Sequence, residues 1–262
     1  MQYMDAGVIK TVHFALPAAD ATTTTPVRIQ FLPEGITTLG VSPDGASVVY
    51  LLKTVNGADG YTARADGATS KKLFSLPLSE ILLSWPAQGT LLAQSAPAAG
   101  VPGVAFSIDS KTGGYSPLLY AQGLTLTADR NFSRVVYQTV GTTRGTYSQN
   151  LKTGLATPLS FDPMPELCRW SLATSTTVYC AAPLSYVAPN YLDLWHLGAA
   201  SAASSILSFD LAKGLSTIIA TPGSTDGGQQ SDIAELSVSP DDGYLLFIRN
   251  NDRSLWGVRL KN

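Results

Sequence analysis

Short apolar runs separated by clusters of Gly, Pro, Asn, Asp and Ser cover most of the chain. Runs such as residues 46–52 (ASVVYLL) and 244–248 (YLLFI) are rich in β-branched, aromatic and leucine side chains. Such runs, bounded by turn residues, are typical of β-strands. No long stretch repeats apolar residues at the three- and four-residue spacing of an amphipathic helix. The pattern therefore predicts an all-β protein.

A strand–turn–strand unit recurs along the chain. Residues 39–45 (LGVSPDG) and 236–243 (LSVSPDDG) each precede an apolar run, and weaker copies begin near residues 82, 124 and 168. Later in the middle units, an acid or amide stands four residues before a glycine, at Asp109, Asn150 and Asp210. Four short strands in each period of roughly 40 to 45 residues are typical of a β-propeller blade.

This count predicts one domain, a β-propeller of five blades with four antiparallel strands each. The blades span about residues 34–77, 78–121, 122–161, 162–222 and 232–262. The last unit has no residues left for a fourth strand, so we expect residues 25–33 to close the ring and protect its edges. Residues 1–24 then form an N-terminal arm with a Thr-rich linker. A six-bladed ring is the alternative, if residues 11–33 belong to a separate partial blade.

The Ser-Pro-Asp-Gly strings at residues 42–45 and 239–243 resemble the repeats of TolB-like and WD-repeat-like propellers. The second copy carries an additional Asp, and the middle units depart from the pattern. The arrangement is also similar to uncharacterised extracytoplasmic propellers of candidate-phyla bacteria. The resemblance implies a propeller fold and favours protein binding over catalysis. It assigns no functional residue.

Two cysteines, Cys168 and Cys180, flank a turn-like stretch at residues 173–176. A hairpin centred there places them opposite each other, within the distance that a disulfide spans. We predict a disulfide, with two buried free thiols as the alternative. A disulfide would indicate an oxidising, extracytoplasmic compartment.

Charge and hydropathy exclude two classes of partner. Only 14% of the residues are charged, with 17 Lys and Arg against 19 Asp and Glu, so we expect no nucleic-acid partner. No apolar run is long enough to span a bilayer, so no transmembrane segment is predicted in this sequence. A membrane anchor that precedes Met1 in a longer protein is the alternative. We expect a monomer.

The fourth unit is longer than the others because it carries an insertion at residues 183–205. This segment is rich in Pro, Ala and Ser but contains four candidate binding residues, Tyr186, Tyr191, Trp195 and His196. Because the pKa of a histidine side chain lies near neutral pH, His196 is suited to recognition or to proton transfer. We expect the insertion to form an aromatic flap over one loop face of the ring.

Acidic residues should collect on the same loop face. The candidates are Glu34, Glu80, Glu166 and Asp232, together with Asp162, Asp226 and Glu235. An acidic mouth beside aromatic side chains suits a cationic group, a basic peptide or calcium. We expect no cofactor and no metal site, with calcium as the alternative.

These features predict a non-enzymatic extracytoplasmic module that binds a protein or a cell-surface ligand through the face carrying residues 183–205. Motifs of serine hydrolases, zinc enzymes and nucleotide-binding proteins are absent. The alternative is an enzyme acting on glycans or peptides, with an acid pair at the channel mouth and assistance from His196. A regulatory propeller of a larger protein is a third reading.

Overall fold

The computed structural model describes residues 1–14, 29–140, 144–186, 190–223 and 231–260. Within these ranges the chain forms 22 strands, one 3-10 helix and one short α-helix. The strands form six antiparallel sheets, each built from strands that follow one another in the sequence. The chain divides into two compact units, Met1–Ser95 with Ala105–Leu118 and Ala96–Val104 with Leu119–Asn262.

The first unit holds two sheets and most of a third. The first sheet has three strands, β1 (Gln2–Asp5), β2 (Val8–Phe14) and β3 (Ile29–Phe31). The second has four, β4 (Ile36–Val41), β5 (Ser47–Thr54), β6 (Gly57–Arg64) and β7 (Lys71–Leu76). The third also has four, β8 (Ile81–Ala87), β9 (Thr90–Ser95), β10 (Pro102–Asp109) and β11 (Tyr115–Gln122). Val49, Leu51, Leu91 and Ile108 pack in one buried core cluster between the second and third sheets.

The second unit holds the remaining three sheets. One comprises β12 (Thr125–Ala128), β13 (Arg134–Val140), β14 (Arg144–Asn150) and β15 (Ala156–Pro158). The next comprises β16 (Cys168–Trp170), β17 (Thr177–Pro183), β18 (Ser204–Asp210) and β19 (Leu215–Ala220). The last comprises β20 (Ile233–Val238), β21 (Tyr244–Arg249) and β22 (Leu255–Arg259).

Two short helices complete the second unit. The 3-10 helix Pro165–Leu167 leads into β16, and α1 (Tyr191–His196) lies in the connection between β17 and β18. No helix in the described part of the chain is long and apolar enough to cross a membrane.

Six consecutive antiparallel sheets confirm an all-β single propeller, and the number of blades is the six of the alternative prediction. The segment expected to close a five-bladed ring pairs elsewhere: Phe31 lies opposite Val12 in β2, so β3 belongs to the first sheet. The expected arm supplies β1 and β2. Of these two strands, β1 was not predicted, because it is exposed throughout and gives no apolar alternation. The linker and residues 25–28 of the expected closing strand lie outside the described residues.

The repeat motif forms the turn between the first and second strands of its blades. Asp44 Oδ1 accepts hydrogen bonds from Ser42 Oγ (2.6 Å) and the Ala46 backbone N–H (3.0 Å), and Gly45 has a φ of 71°. The side chain of Asp241 binds Ser239 and Gly243 in the same way. A carboxylate that satisfies neighbouring backbone N–H groups stabilises such a turn locally. The repeat residues therefore serve the fold.

The additional Asp of the second copy, Asp242, joins two sheets of the second unit. It is 2% exposed and has a φ of 53°. Its carboxylate accepts hydrogen bonds from the Leu172 N–H (2.9 Å), the Ala173 N–H (3.3 Å) and the Ser171 hydroxyl in the β16–β17 turn. Asp242 thus ties the turn between β20 and β21 to the neighbouring blade.

The predicted disulfide is present. Cys168 in β16 lies directly opposite Cys180 in β17, with their Cα atoms 4.0 Å apart and their sulfurs bonded. Both residues are fully buried among apolar side chains that include Trp170 and Val178.

Candidate functional site

In the described part of the insertion, residues 183–186 and 190–205, the aromatic side chains pack against the second unit instead of forming the expected open flap. The centre of the insertion is the helix α1, which begins with two buried residues, Tyr191 and Leu192. These side chains belong to the core cluster that also contains Met164, Leu167 and Ile233. Tyr191, which the sequence predicts to bind a ligand, is therefore a packing residue of this core. Residues 187–189 lie outside the described part of the insertion.

Tyr186 is also held by the protein itself. Its hydroxyl donates to the Asp162 backbone carbonyl (2.5 Å), and the Arg144 guanidinium lies 3.8 Å from its ring centroid. Tyr191 contacts the same ring edge-to-face, with centroids 5.2 Å apart. Burial raises the pKa of the Tyr186 hydroxyl, and the nearby Asp162 carboxylate adds to this effect. Because Arg144 covers one ring face, Tyr186 has less surface for stacking than the sequence suggests.

Three polar residues around Tyr186 were not found by sequence reasoning. The Asp162 carboxylate accepts hydrogen bonds from Thr146 Oγ1 and Gln138 Nε2, the latter at 3.1 Å, and Arg144 Nε lies 3.9 Å away. Gln138 in β13 and Thr146 in β14 are buried. A polar residue at a core-facing strand position is a signal of such a network, because buried polar groups need partners.

The helix α1 is fixed to the rest of the second unit by two further hydrogen bonds. Trp195 Nε1 donates to Asp232 Oδ2 (2.7 Å), which also accepts from Asn250 Nδ2 (3.1 Å). Asp193 Oδ1 accepts from the Ala99 backbone N–H (2.8 Å). Burial raises the pKa of the Asp232 carboxyl despite these hydrogen bonds. The structure thus brings two predicted residues, Trp195 and Asp232, into direct contact.

The C-terminal end of α1 faces solvent. His196 Nε2 lies 3.2 Å from Glu166 Oε1, so these two predicted residues are also brought together. The hydrogen bond to the Glu166 carboxylate raises the pKa of His196. Leu197, immediately after the helix, is 79% exposed, and Leu184 at the start of the insertion is 53% exposed. The anchored helix therefore carries the His196–Glu166 contact and leads directly into the exposed Leu197, while the exposed Leu184 lies at the other end of the insertion, before the helix.

Of the remaining predicted acids, Glu235 is exposed in β20, and Glu34 and Glu80 lie in the first unit. Glu34 pairs with Lys10, and Glu80 pairs with Lys53. Asp226 lies outside the described residues. Within the described ranges, no three His, Cys, Asp or Glu side chains come together as a metal site would need. Among the described acids, Glu34, Glu80 and Glu166 each hold a local basic partner.

No family model and no curated protein matches the chain. Several solved structures, in contrast, are similar to this chain. A putative TolB from Agrobacterium tumefaciens aligns over 87% of this chain and 75% of its own, with a TM-score of 0.58 at 12% identity. The shared feature is the β-propeller fold. The WD40 domain of Neurospora crassa Pan2 aligns over 89% and 70%, with a TM-score of 0.56 at 13% identity.

A third similar structure comes from a nidogen/laminin complex, covering 99% of this chain and 88% of that one, with a TM-score of 0.59 at 8% identity. The TolB and WD40 neighbours agree with the resemblance seen in the repeat motif. At such low identity these likenesses establish the propeller fold, and function rests on this chain's own residues.

Proposed function

We propose that this protein is a non-catalytic, extracytoplasmic interaction module that binds a protein or cell-surface ligand through the loop face carrying residues 183–205. The observation that supports this most is the anchored insertion: Tyr191, Leu192 and Trp195 are fixed in the second unit while Leu184 and Leu197 face water. An apolar surface held in one conformation binds a partner with little loss of conformational entropy.

The carboxylates favour this reading over the alternative of a glycan- or peptide-acting enzyme. A glycosidase needs two carboxyl groups facing one bond across a pocket. In this chain Glu166 binds His196, and Asp232 accepts hydrogen bonds from Trp195 and Asn250. Each acid is committed to its own partner, which suits a rigid recognition surface.

Two observations support the remaining parts of the proposal. The buried disulfide between Cys168 and Cys180 is the kind of bond that forms and persists in oxidising compartments. One of the structures with a similar fold was solved in a protein–protein complex, that of nidogen with laminin. Loops on a rigid propeller vary freely, which suits protein recognition.

The test is a pull-down from extracts of the source cells with three forms of the full chain. One is wild type, one carries Leu184→Glu with Leu197→Glu, and the matched control carries Leu155→Glu with Leu215→Glu. The control leucines are also highly exposed but lie away from the insertion: Leu155 immediately precedes β15, and Leu215 begins β19. Each form is run with calcium and with a chelator, and thermal melting verifies that all three fold.

A macromolecule retained by wild type and by the control, but lost from the insertion variant, supports the proposal. Equal retention by all three places the binding surface elsewhere and contradicts it. If no macromolecule is retained with or without calcium, the binding module is refuted and small-molecule chemistry becomes the better hypothesis.

A further inference from the structure

The last sheet of the second unit ends at its third strand. Among the described residues, no strand pairs with the outer edge of β22. The Arg249 N–H donates to the Ser254 carbonyl and the Leu260 N–H donates to the Gly243 carbonyl, which fixes the ladder register. Since antiparallel residues alternate between inward and outward hydrogen bonding, the backbone groups of Leu255, Gly257 and Arg259 point away from β21. In the part of the chain that the structure describes, these three residues thus form a β-edge without a strand partner.

A cleft lies beside this edge, between the end of β19 and the face of β21 and β22. It encloses about 410 Å³ and is lined by Ile219, Pro222, Phe247, Trp256 and Val258. Trp256 is 42% exposed, and its indole N–H donates to Ser254 Oγ (2.7 Å), which fixes the ring. Trp256 and Val258 alternate with the outward-bonding residues, so an added strand would place every second side chain toward this cleft.

The charge around the edge is positive. The Arg249 guanidinium carbon lies 5.4 Å from the Trp256 ring centroid, and no carboxylate among the described residues lies within 4 Å of it in an ion pair. Arg253 and Arg259 are exposed at the two ends of β22. The one acid in this stretch, Asp252, already accepts hydrogen bonds from the Ser254 N–H and hydroxyl.

We propose that β22 accepts an extended segment of a partner protein as a fourth strand, with apolar side chains entering the cleft and acidic residues at both ends meeting the arginines. Strand addition of this kind uses main-chain hydrogen bonds for affinity and alternate side-chain pockets for specificity. A second copy of this chain fits less well, because antiparallel self-pairing would bring Arg253 of one copy toward Arg259 of the other. This site is separate from the insertion face and does not depend on the function proposed there.

The probe is a fluorescein-labelled peptide, Glu-Glu-Val-Thr-Val-Thr-Val-Glu-Glu, whose binding to the full chain is followed by anisotropy. Its alternation directs three valines to one face and places acids at both ends. The deciding variant is Gly257→Pro, which removes one outward N–H, a change that an edge strand tolerates. Gly257→Ala is the matched control because an added Cβ would meet Leu246 Cδ2 at 3.4 Å, an ordinary contact, and the N–H stays.

We expect saturable binding to wild type and to Gly257→Ala within about threefold, and binding at least about tenfold weaker to Gly257→Pro. The same peptide with lysine at its four terminal positions should also bind at least about tenfold more weakly. Arg259 is exposed, so Arg259→Glu leaves the backbone hydrogen bonds of the sheet intact. This substitution should weaken binding of the acidic peptide several-fold. It keeps the test usable if Gly257→Pro fails to fold.

Three results of the peptide-binding assay would overturn the proposal. They are no saturable binding to wild type, equal binding of the acidic and lysine peptides, or equal binding by Gly257→Ala and a folded Gly257→Pro. Sedimentation tests the other occupant: a wild-type dimer that Gly257→Pro converts to monomer would assign the edge to a second copy of the chain. Protection of residues 255–259 from amide exchange by the peptide, expected here, locates the bound strand.

Discussion

Asp242 gives the sharpest test of how the blades of the second unit hold together. Its neighbour Asp241 is exposed and stabilises its own turn, whereas Asp242 is buried and binds the turn between β16 and β17. The substitutions Asp241→Ala and Asp242→Ala therefore remove the same chemical group one residue apart. Only the second should break a connection between two sheets.

The expected magnitudes follow from the hydrogen bonds. Without the Asp242 carboxylate, the Leu172 N–H loses its acceptor, while the Ala173 N–H keeps a bond to Ser171 Oγ at 3.1 Å. Because the Leu172 N–H is only partly buried, the loss of its acceptor costs about 1–1.5 kcal/mol, and the lost charged hydrogen bond from the buried Ser171 hydroxyl adds about 1.5–2 kcal/mol. Asp242→Ala should thus lower the free energy of unfolding by about 3 kcal/mol, whereas Asp241→Ala should lower it by about 1 kcal/mol.

Thermal melting followed by circular dichroism measures the difference. At about 2–4 °C per kcal/mol, Asp242→Ala should lower the Tm by about 6–12 °C and Asp241→Ala by about 2–4 °C. Asp242→Asn should fall between them, because asparagine keeps one acceptor and tolerates the positive φ. Calcium should leave these differences unchanged, since the Asp242 oxygens already accept protein hydrogen bonds. Equal Tm values for the two alanine variants would refute the inter-blade role.

Two further predictions concern the disulfide and pH. The bridge between Cys168 and Cys180 spans 12 positions, and closing such a loop stabilises by about 3 kcal/mol, so protein refolded under reductant should melt about 6–12 °C lower; an unchanged Tm would contradict this. The hydrogen bond to Glu166 raises the pKa of His196 in the folded protein. The pair therefore stabilises the fold fully at a pH below the pKa of an unfolded histidine, and this stabilisation is lost as the pH rises through the pKa of His196 in the folded protein. Burial also raises the pKa of Asp232. Its contribution to stability therefore falls as the pH rises from about 4, the pKa of an unfolded aspartate, to the pKa of Asp232 in the folded protein. The Tm of wild type should therefore rise more than the Tm of Glu166→Gln when the pH is lowered from 8 to 6. Equal changes of Tm with pH in the two proteins would argue against a stabilising role for the pair of His196 and Glu166.

The parts of the structure that the sequence predicted are those determined by local chemistry. The Ser-Pro-Asp-Gly turn is complete within a few residues, since the Asp44 carboxylate binds groups two residues away on either side. The cysteine pair was predictable because a hairpin centred between Cys168 and Cys180 fixes which residues face each other. The N-terminal sheet was harder to predict, because β1 carries no apolar alternation and pairs mainly through its backbone.

The candidate site shows where local reasoning ends. Aromatic and acidic residues are the usual signs of a binding surface, yet in this chain Tyr191 packs in the core and Trp195 binds a buried carboxylate. One local signal was available: Tyr191 and Trp195 stand four residues apart and therefore share one face of a short helix. Among the described residues of the insertion, Leu184 and Leu197 are the exposed large apolar side chains, and their type does not distinguish them in the sequence. A functional face on this fold is therefore found by first assigning the long-range partners of the conspicuous residues, and then asking which apolar side chains the anchored loop still exposes.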